Sequence, residues 1–293
     1  MPLTVAVTTR TLFDLEGEHA AFLSGGEEAY RGALAERGST CPAPGALYGL
    51  VEGLARINAG DLLHPEVSLV VVSRNAPATA MRVLDALRDR GIGADRAVMT
   101  GGRPPAPYVA ALGVDLFLTR NGEDGAAAAA LGVPTGILAD GCPHVPFEGE
   151  LRIALDGDSV LFDDASDVAF ASGGYAAWAE HERLHRDLPM GDGPLRSLAV
   201  KLSALRGRAR TAGATVRLAL ATSREGDARG RALRTLEGWG VVVDEAYFLG
   251  DIAKAAALAA FRPHLFLDDR ISHVTGVAPG APAALVPPTR AAA

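Results

Sequence analysis

Lysine is almost missing from this chain: of 28 basic residues only Lys201 and Lys254 are lysines, and the rest are arginines. Cysteine is as scarce. Cys41 and Cys142 lie far apart, which excludes a disulfide framework and a cysteine-rich metal site. Aromatic residues make up only 5% of the 293 residues, so the core must come mainly from Ala, Val and Leu. Positive charge is outnumbered, 28 basic against 35 acidic residues, and the net charge of −7 leaves no basic face for a nucleic-acid backbone. No long apolar run occurs either. The most apolar stretch, 126–139, is rich in Ala and Gly, is broken by Pro134, and is too short to span a bilayer. The opening MPLTVAVTTR has no basic segment followed by an apolar one, so no signal peptide is visible. A soluble cytoplasmic protein with incidental thiols, partnered by neither nucleic acid nor membrane, is the expectation.

What is present is alternation. Short apolar runs at 3–7, 67–73, 97–99, 114–118, 151–155, 216–222, 246–249 and 264–267 are separated by helical patterns. Buried strands alternating with amphipathic helices imply βαβ units and a mainly parallel sheet, an α/β fold. The two sets of four also match one another. RVLDALRDRGIGADRAVMTGG (82–102) lies over RALRTLEGWGVVVDEAYFLGD (231–251) without a gap, and the same offset carries Leu116–Phe117–Leu118 onto Leu265–Phe266–Leu267. Self-similarity on this scale indicates a tandem duplication. The expected organisation is two similar Rossmann-like units, 1–145 and 146–293, joined near DGCPHVPFEGE (140–150).

The copies part company where chemistry would sit. After its first strand the second copy has Asp156 and Asp158, where the first has Thr8 and Arg10; after its last strand it has Asp268 and Asp269, where the first has Thr119 and Arg120. Lys254 falls opposite Pro105, whereas Thr222 matches the hydroxyl residue Ser73. In a parallel sheet the strand carboxyl ends meet at one edge, where ligands bind. Carboxylates converging there would repel unless a cation sat between them, and an oxygen-only donor set suits Mg²⁺. Magnesium accepts phosphate oxygens, so a phosphate ester is the implied substrate. Thr222 and Ser223, at a strand-to-helix junction, can cradle the phosphate, and Lys254 supplies compact positive charge.

The ordered set of strand–Asp-x-Asp, strand–Thr, Lys and strand–Asp–Asp resembles the haloacid-dehalogenase superfamily of aspartate-nucleophile phosphatases. Within that superfamily the chain is similar to the type I cytosolic 5′-nucleotidases almost from end to end. The segments carrying the resemblance include AVTTRTLFDL, SRNAPATAMRVLDAL, LRIALDGDSVLFDD, EHERLHRDLPMGDGPL, LATSRE and RPHLFLDDRISHVTG. Arg270 after the paired aspartates and the short C-terminal tail depart from the pattern. The resemblance implies two haloacid-dehalogenase-like units, the first degenerate and the second catalytic with a helical cap at about 163–211, formed by helices at 166–187 and 194–208. It implies Asp156 as nucleophile, Asp158 as general acid and base, and Thr222 and Lys254 holding the phosphoryl group. Mg²⁺ would be held by Asp156, the Asp158 carbonyl and Asp268, with Asp269 as ligand or outer partner. Gly157, Phe162, His181, Lys201, Ser223 and Arg224 are candidate substrate contacts, and the substrate would be a nucleoside 5′-monophosphate.

A competing motif is present. His181–Glu182–Arg183–Leu184–His185 is a literal H-E-x-x-H, which on a helix places two imidazoles on one face, as in zinc peptidases. The third ligand is missing: Leu188 and Gly191 occupy the extended motif's Gly and His places, and no Asp, Glu or His lies between Asp192 and Glu225. A structural or substrate-facing helix is expected instead. Two other readings stay open: a phosphatase for a different small phosphate ester, and a nucleotide-sensing or assembly protein using the degenerate first copy. Self-association as a homo-oligomer is not decided by the sequence.

Overall fold

All eight apolar runs form strands, with bounds shifted by no more than two residues. The computed structural model describes residues 2–37, 41–58, 65–75, 77–94, 96–226 and 228–288, so the end of the C-terminal tail noted above lies outside the described residues. The strands are β1 (Leu3–Thr8), β2 (Val67–Ser73), β3 (Arg96–Met99), β4 (Leu116–Thr119) and β5 (Thr135–Leu138), then β6 (Glu150–Leu155), β7 (Thr215–Thr222), β8 (Glu245–Phe248), β9 (Leu265–Asp268) and β10 (Ala283–Leu285). The sequence gives no strong signal for β5 and β10. They are three or four residues long and built from Thr, Gly, Ala, Ile and Leu. Gly136 in β5 is needed, because a Cβ there would stand 2.8 Å from side-chain carbons of both Leu118 and Leu267.

All ten strands form one sheet in the order β3-β2-β1-β4-β5-β10-β9-β6-β7-β8. Every pairing is parallel except β5 with β10, where Leu138 lies opposite Ala284. Read outward from that seam, the first five strands and the last five follow the same order. Helices α1 (Thr9–Leu12), α2 (Glu16–Arg37), α3 (Tyr48–Ile57), α4 (Pro77–Asp89), α5 (Ala106–Ala111) and α6 (Gly122–Ala130) belong to the first half. A π-helical turn (Gly157–Leu161) and α7 (Ala165–His185), α8 (Arg196–Thr211), α9 (Ala228–Gly238), α10 (Lys254–Phe261) and α11 (Ile271–Val277) belong to the second.

On one face of the sheet each half has its own core: Val109 and Phe117 with Ala128 in the first, Leu258 and Phe266 with Val274 in the second. On the other face a single core runs across both halves. There α3 packs on β6 as well as β2, and α8 packs on β1 as well as β7. Gly49 of α3 permits the close approach: a Cβ would lie 2.0 Å from the Val145 carbonyl oxygen. The segment expected to link two units is indeed irregular between β5 and β6, but the sheet and this core both cross it.

Two helices carry the same break. In α2, Gly25–Gly26, and in α7, Gly173–Gly174, the second glycine has φ near +67° with ψ near −153°, a region essentially closed to residues with a Cβ (φ 67, ψ −152 and φ 66, ψ −154). Ser-Gly-Gly precedes each kink. The same break therefore recurs once in each half of the chain, in α2 and in α7. Of the two helices in the expected cap segment, α8 lies against the sheet. Helix α8 is a sheet-packing helix, burying Leu198, Leu202, Leu205 and Ala209 at helical spacing.

Candidate active site at the carboxyl ends of β6, β7 and β9

Strand β6 lies between β9 and β7, so the residues at their carboxyl ends are neighbours about 5 Å apart in the sheet. Asp156 follows β6, Thr222 ends β7 and Asp268 ends β9. Lys254, the first residue of α10, completes the group. Its Nζ donates to Asp268 Oδ2 at 2.6 Å and lies 2.7 Å from Asp156 Oδ1. All four are buried, with Asp268 at 0% and Lys254 at 3% exposure. Gly157 N–H donates to Asp156 Oδ1 at 2.6 Å, so that oxygen holds both contacts. Thr222 reaches the same place: its Oγ1 lies 3.1 Å from where a Gly157 Cβ would stand, and it accepts from Arg224 N–H.

Burial pushes Asp156 well above the usual carboxylate range, with Lys254 opposing and Asp268 adding to the rise. Burial acts on Asp268 in the same sense, but hydrogen bonds from His273 and Lys254 outweigh it and hold that carboxyl low. Lys254 is held above its ordinary value: burial disfavours its charge, and the two carboxylates overcome that cost. Asp269 is half-buried, and burial with Asp268 and Asp167 nearby pushes it up to about 6.

The Asp158 side chain turns away from this group. Arg224 grips it through two bonds, Nε at 3.0 Å and Nη2 at 2.6 Å. Arg224, only 1% exposed, also donates to Glu182 and Ser166 of α7. Glu182 is held in turn by Arg231 at 3.0 Å and Ser166 at 2.8 Å. Burial raises Asp158 despite Arg224. Helix α7 is thereby tied through Arg224 to the candidate acid. A second tie runs from Arg270 to Asp167, whose other oxygen accepts from Ser159 in the π-helical turn. Ser159 has φ +60°, a strained non-glycine conformation at the bend that aims Asp158.

The predicted residues therefore divide. Asp156, Thr222, Lys254 and Asp268 come together, with Gly157 beside them and exposed Ser223 at the end of β7. Asp269 stands at the rim, and Arg224 acts on Asp158. Phe162 is fully buried against Trp239, with ring centroids 5.5 Å apart. His181 faces Arg231 at 3.5 Å. Lys201 is carried to the opposite edge of the sheet, where it pairs with Asp115 at 2.7 Å ahead of β4.

One functional candidate was not anticipated. His273 Nδ1 lies 3.1–3.2 Å from both oxygens of Asp268, and Arg270 N–H donates to the same carboxylate. Its sequence signal, a histidine five residues beyond the strand-end aspartate, is too weak to single out. Among the described residues, Asp156, Asp268 and His273 are the group placed to hold a cation, with donor atoms within 4.8 Å of one another. The chemistry fits a hard divalent ion: two buried carboxylates and a rim carboxylate share a single ammonium, and Asp269 near 6 needs more positive charge to ionise fully at low pH. The H-E-x-x-H residues form no such group. Their rings stack at 4.3 Å, His185 Nδ1 is spent on the His181 carbonyl, and Glu182 is spent on two arginines.

A family model described as 5′-nucleotidase matches residues 1–293. Human cytosolic 5′-nucleotidase 1B is 28% identical over 285 residues, covering 94% of this chain. The chain spans 47% of that relative's length. Among solved structures, the L-2-haloacid dehalogenase of Xanthobacter autotrophicus with covalently bound chloropropionic acid aligns with 63% of this chain and 88% of its own, at 14% identity and a TM-score of 0.32. None of the described helices is long and apolar enough to cross a membrane.

Proposed function

The chain belongs to the 5′-nucleotidase family, and from that premise we propose that it hydrolyses nucleoside 5′-monophosphates to nucleoside and phosphate at the β6–β7–β9 edge. The observation carrying this reading is the buried Asp156–Lys254–Asp268 bridge beside Thr222. Asp156 is the nucleophile. With Oδ1 engaged by Gly157 N–H and Lys254, Oδ2 is the oxygen that attacks phosphorus, forming the acyl-phosphate bond as the P–O5′ bond breaks. Asp158 gives its proton to the departing O5′ and then takes one from the water that cleaves the intermediate. Leaving Arg224 does not strand that guanidinium, because Glu182 and Ser166 continue to hold it. Thr222 and Lys254 hold the phosphoryl oxygens. Asp156, the Asp158 carbonyl and Asp268 would hold Mg²⁺, with Asp269 beside them and His273 orienting Asp268. When bound, Mg²⁺ offsets the charge on the phosphoryl oxygens.

The mirrored strand order and the paired Gly-Gly kinks support descent of both halves from one duplicated unit, with 1–145 degenerate and 146–293 catalytic. The test is phosphate release from a panel of nucleoside monophosphates and sugar phosphates, with and without Mg²⁺. Release is expected from nucleoside monophosphates with Mg²⁺ present, and not from Asp156→Asn. Equal turnover of sugar phosphates would replace the substrate class, and turnover by Asp156→Asn would remove the nucleophile.

A further inference from the structure

A sizeable cavity opens away from Asp156. It lies in the first half, at the carboxyl ends of β1, β2 and β4 beneath α2, and encloses about 510 Å³. That volume is in the range of small-molecule sites and large enough for a nucleotide-sized ligand. Its floor is the first-half counterpart of the candidate active site, with the charges exchanged. Thr8 and Thr119 stand where the second half has Asp156 and Asp268, and Arg10 and Arg120 stand where it has Asp158 and Asp269. Pro105 replaces the lysine. The hydroxyl at the end of the second strand is kept: Ser73 Oγ accepts from Asn75 N–H just as Thr222 accepts from Arg224 N–H.

These exchanges remove the donors for a metal and supply direct partners for an anion. Arg120 has a side chain only 12% exposed, yet its contacts are long: carbonyl oxygens at 3.3 and 3.4 Å and carboxylates at 3.7 and 3.9 Å. Arg10 pairs with Glu16 through Nη2, while its Nε is buried without a hydrogen-bond partner among the described residues. Glu16 thus meets only one nitrogen of Arg10, and the open Nε of Arg10 with the loosely held Arg120 leaves donors that an anion can complete. Arg74 is neutralised by Asp124 and adds no free charge. The opposite wall is apolar. Leu15 and Phe22 line it with the Tyr30 ring, and Phe22 stands edge-on to Tyr30 at 6.4 Å.

We infer that this cavity binds a phosphate monoester carrying a ring, its phosphate on Arg10, Arg120 and Ser73 and its ring against Phe22 and Tyr30. It binds without turnover, because Thr8 and Thr119 replace the two strand-end carboxylates and Pro105 replaces the lysine. The site is independent of whether the second half hydrolyses anything.

The test uses the full chain carrying Lys254→Ala, titrated calorimetrically with AMP, adenosine and inorganic phosphate in EDTA, which suppresses metal-dependent binding at the other edge. One AMP per chain is expected, with adenosine and phosphate each weaker than AMP. Adding Arg120→Gln should weaken AMP roughly tenfold or more, the loss of one charge-assisted hydrogen bond. Arg10→Gln is the parallel variant should the first melt early, and hydrogen exchange should slow in 9–30 on binding. No AMP binding, adenosine binding as tightly as AMP, or binding indifferent to both arginine variants would overturn the inference.

Discussion

The two halves of the sheet present the same edge built for opposite charges. In the second half, carboxylates at two strand ends are compressed onto one lysine, and α7 is tied beside them through Arg224. In the first, hydroxyls and arginines line a cavity under α2, which is held by Arg82 on Glu18 and by Asn75 on Tyr30. The backbone scaffold is common to both, including the hydroxyl at the second strand end and the glycine kink in the covering helix. What differs is a handful of side chains at positions the fold does not need. Sheet-edge positions are therefore free to exchange nucleophilic chemistry for simple binding without disturbing the core.

The sharpest way to break this comparison is to move the nucleophile. Asp156→Asn with Thr8→Asp is expected to restore no turnover, because Pro105 and Thr119 leave the transplanted carboxylate without lysine or metal partner; measurable phosphate release would show that the first half keeps catalytic capacity. Next, Lys254→Ala should lower kcat by roughly 10²–10³, the size of losing one preorganised charge at a transition state. A rise in KM with kcat intact would demote the lysine to a binding role.

The opposite edge of the sheet sharpens the comparison through stability. There Asp115 accepts from Thr4 N–H in the first half, and His264 Nδ1 accepts from Arg152 N–H in the second. His264 Nε2 lies 3.1 Å from the Pro146 carbonyl, so the neutral ring is required, and burial lowers its pKa to about 4. Because the folded value lies below the unfolded one near 6.5, this contribution is complete above pH 6.5 and is lost as pH falls toward 4. At most about 3 kcal/mol is involved. Denaturant unfolding at pH 7 and pH 4.5 should show a smaller drop for His264→Asn than for the unsubstituted chain; equal drops would dismiss the histidine. The smallest effect belongs to Lys201→Gln, which breaks the pair with Asp115. It should cost about 1 kcal/mol or less in unfolding free energy and leave kcat/KM unchanged, whereas a loss of turnover would reinstate Lys201 as a substrate contact.

Much of this was legible in the sequence for a physical reason: the apolar runs of eight strands and the residues ending three of them are local signals. β5 and β10 were not legible, since short runs of small residues become strands only through the neighbours that flank them. The packing of α8 was legible in the spacing of Leu198, Leu202, Leu205 and Ala209, which marks a face that must be buried. Arg224 was anticipated as a ligand contact. That it would hold Asp158 and Glu182 together depends on distances between segments more than forty residues apart, which spacing alone cannot supply.

The seam between β5 and β10 has a consequence for how the molecule comes to be folded. Leu138 and Ala284 are paired across a long stretch of chain, and every other strand has a partner closer in sequence. Pairings of such separation are intrinsically slow, because loop-closure entropy must be met before they contribute. Until then each half shows an unpaired strand edge, β5 on one side and β10 on the other. The unpaired seam is open to competition, because another chain's edge offers the same hydrogen bonds.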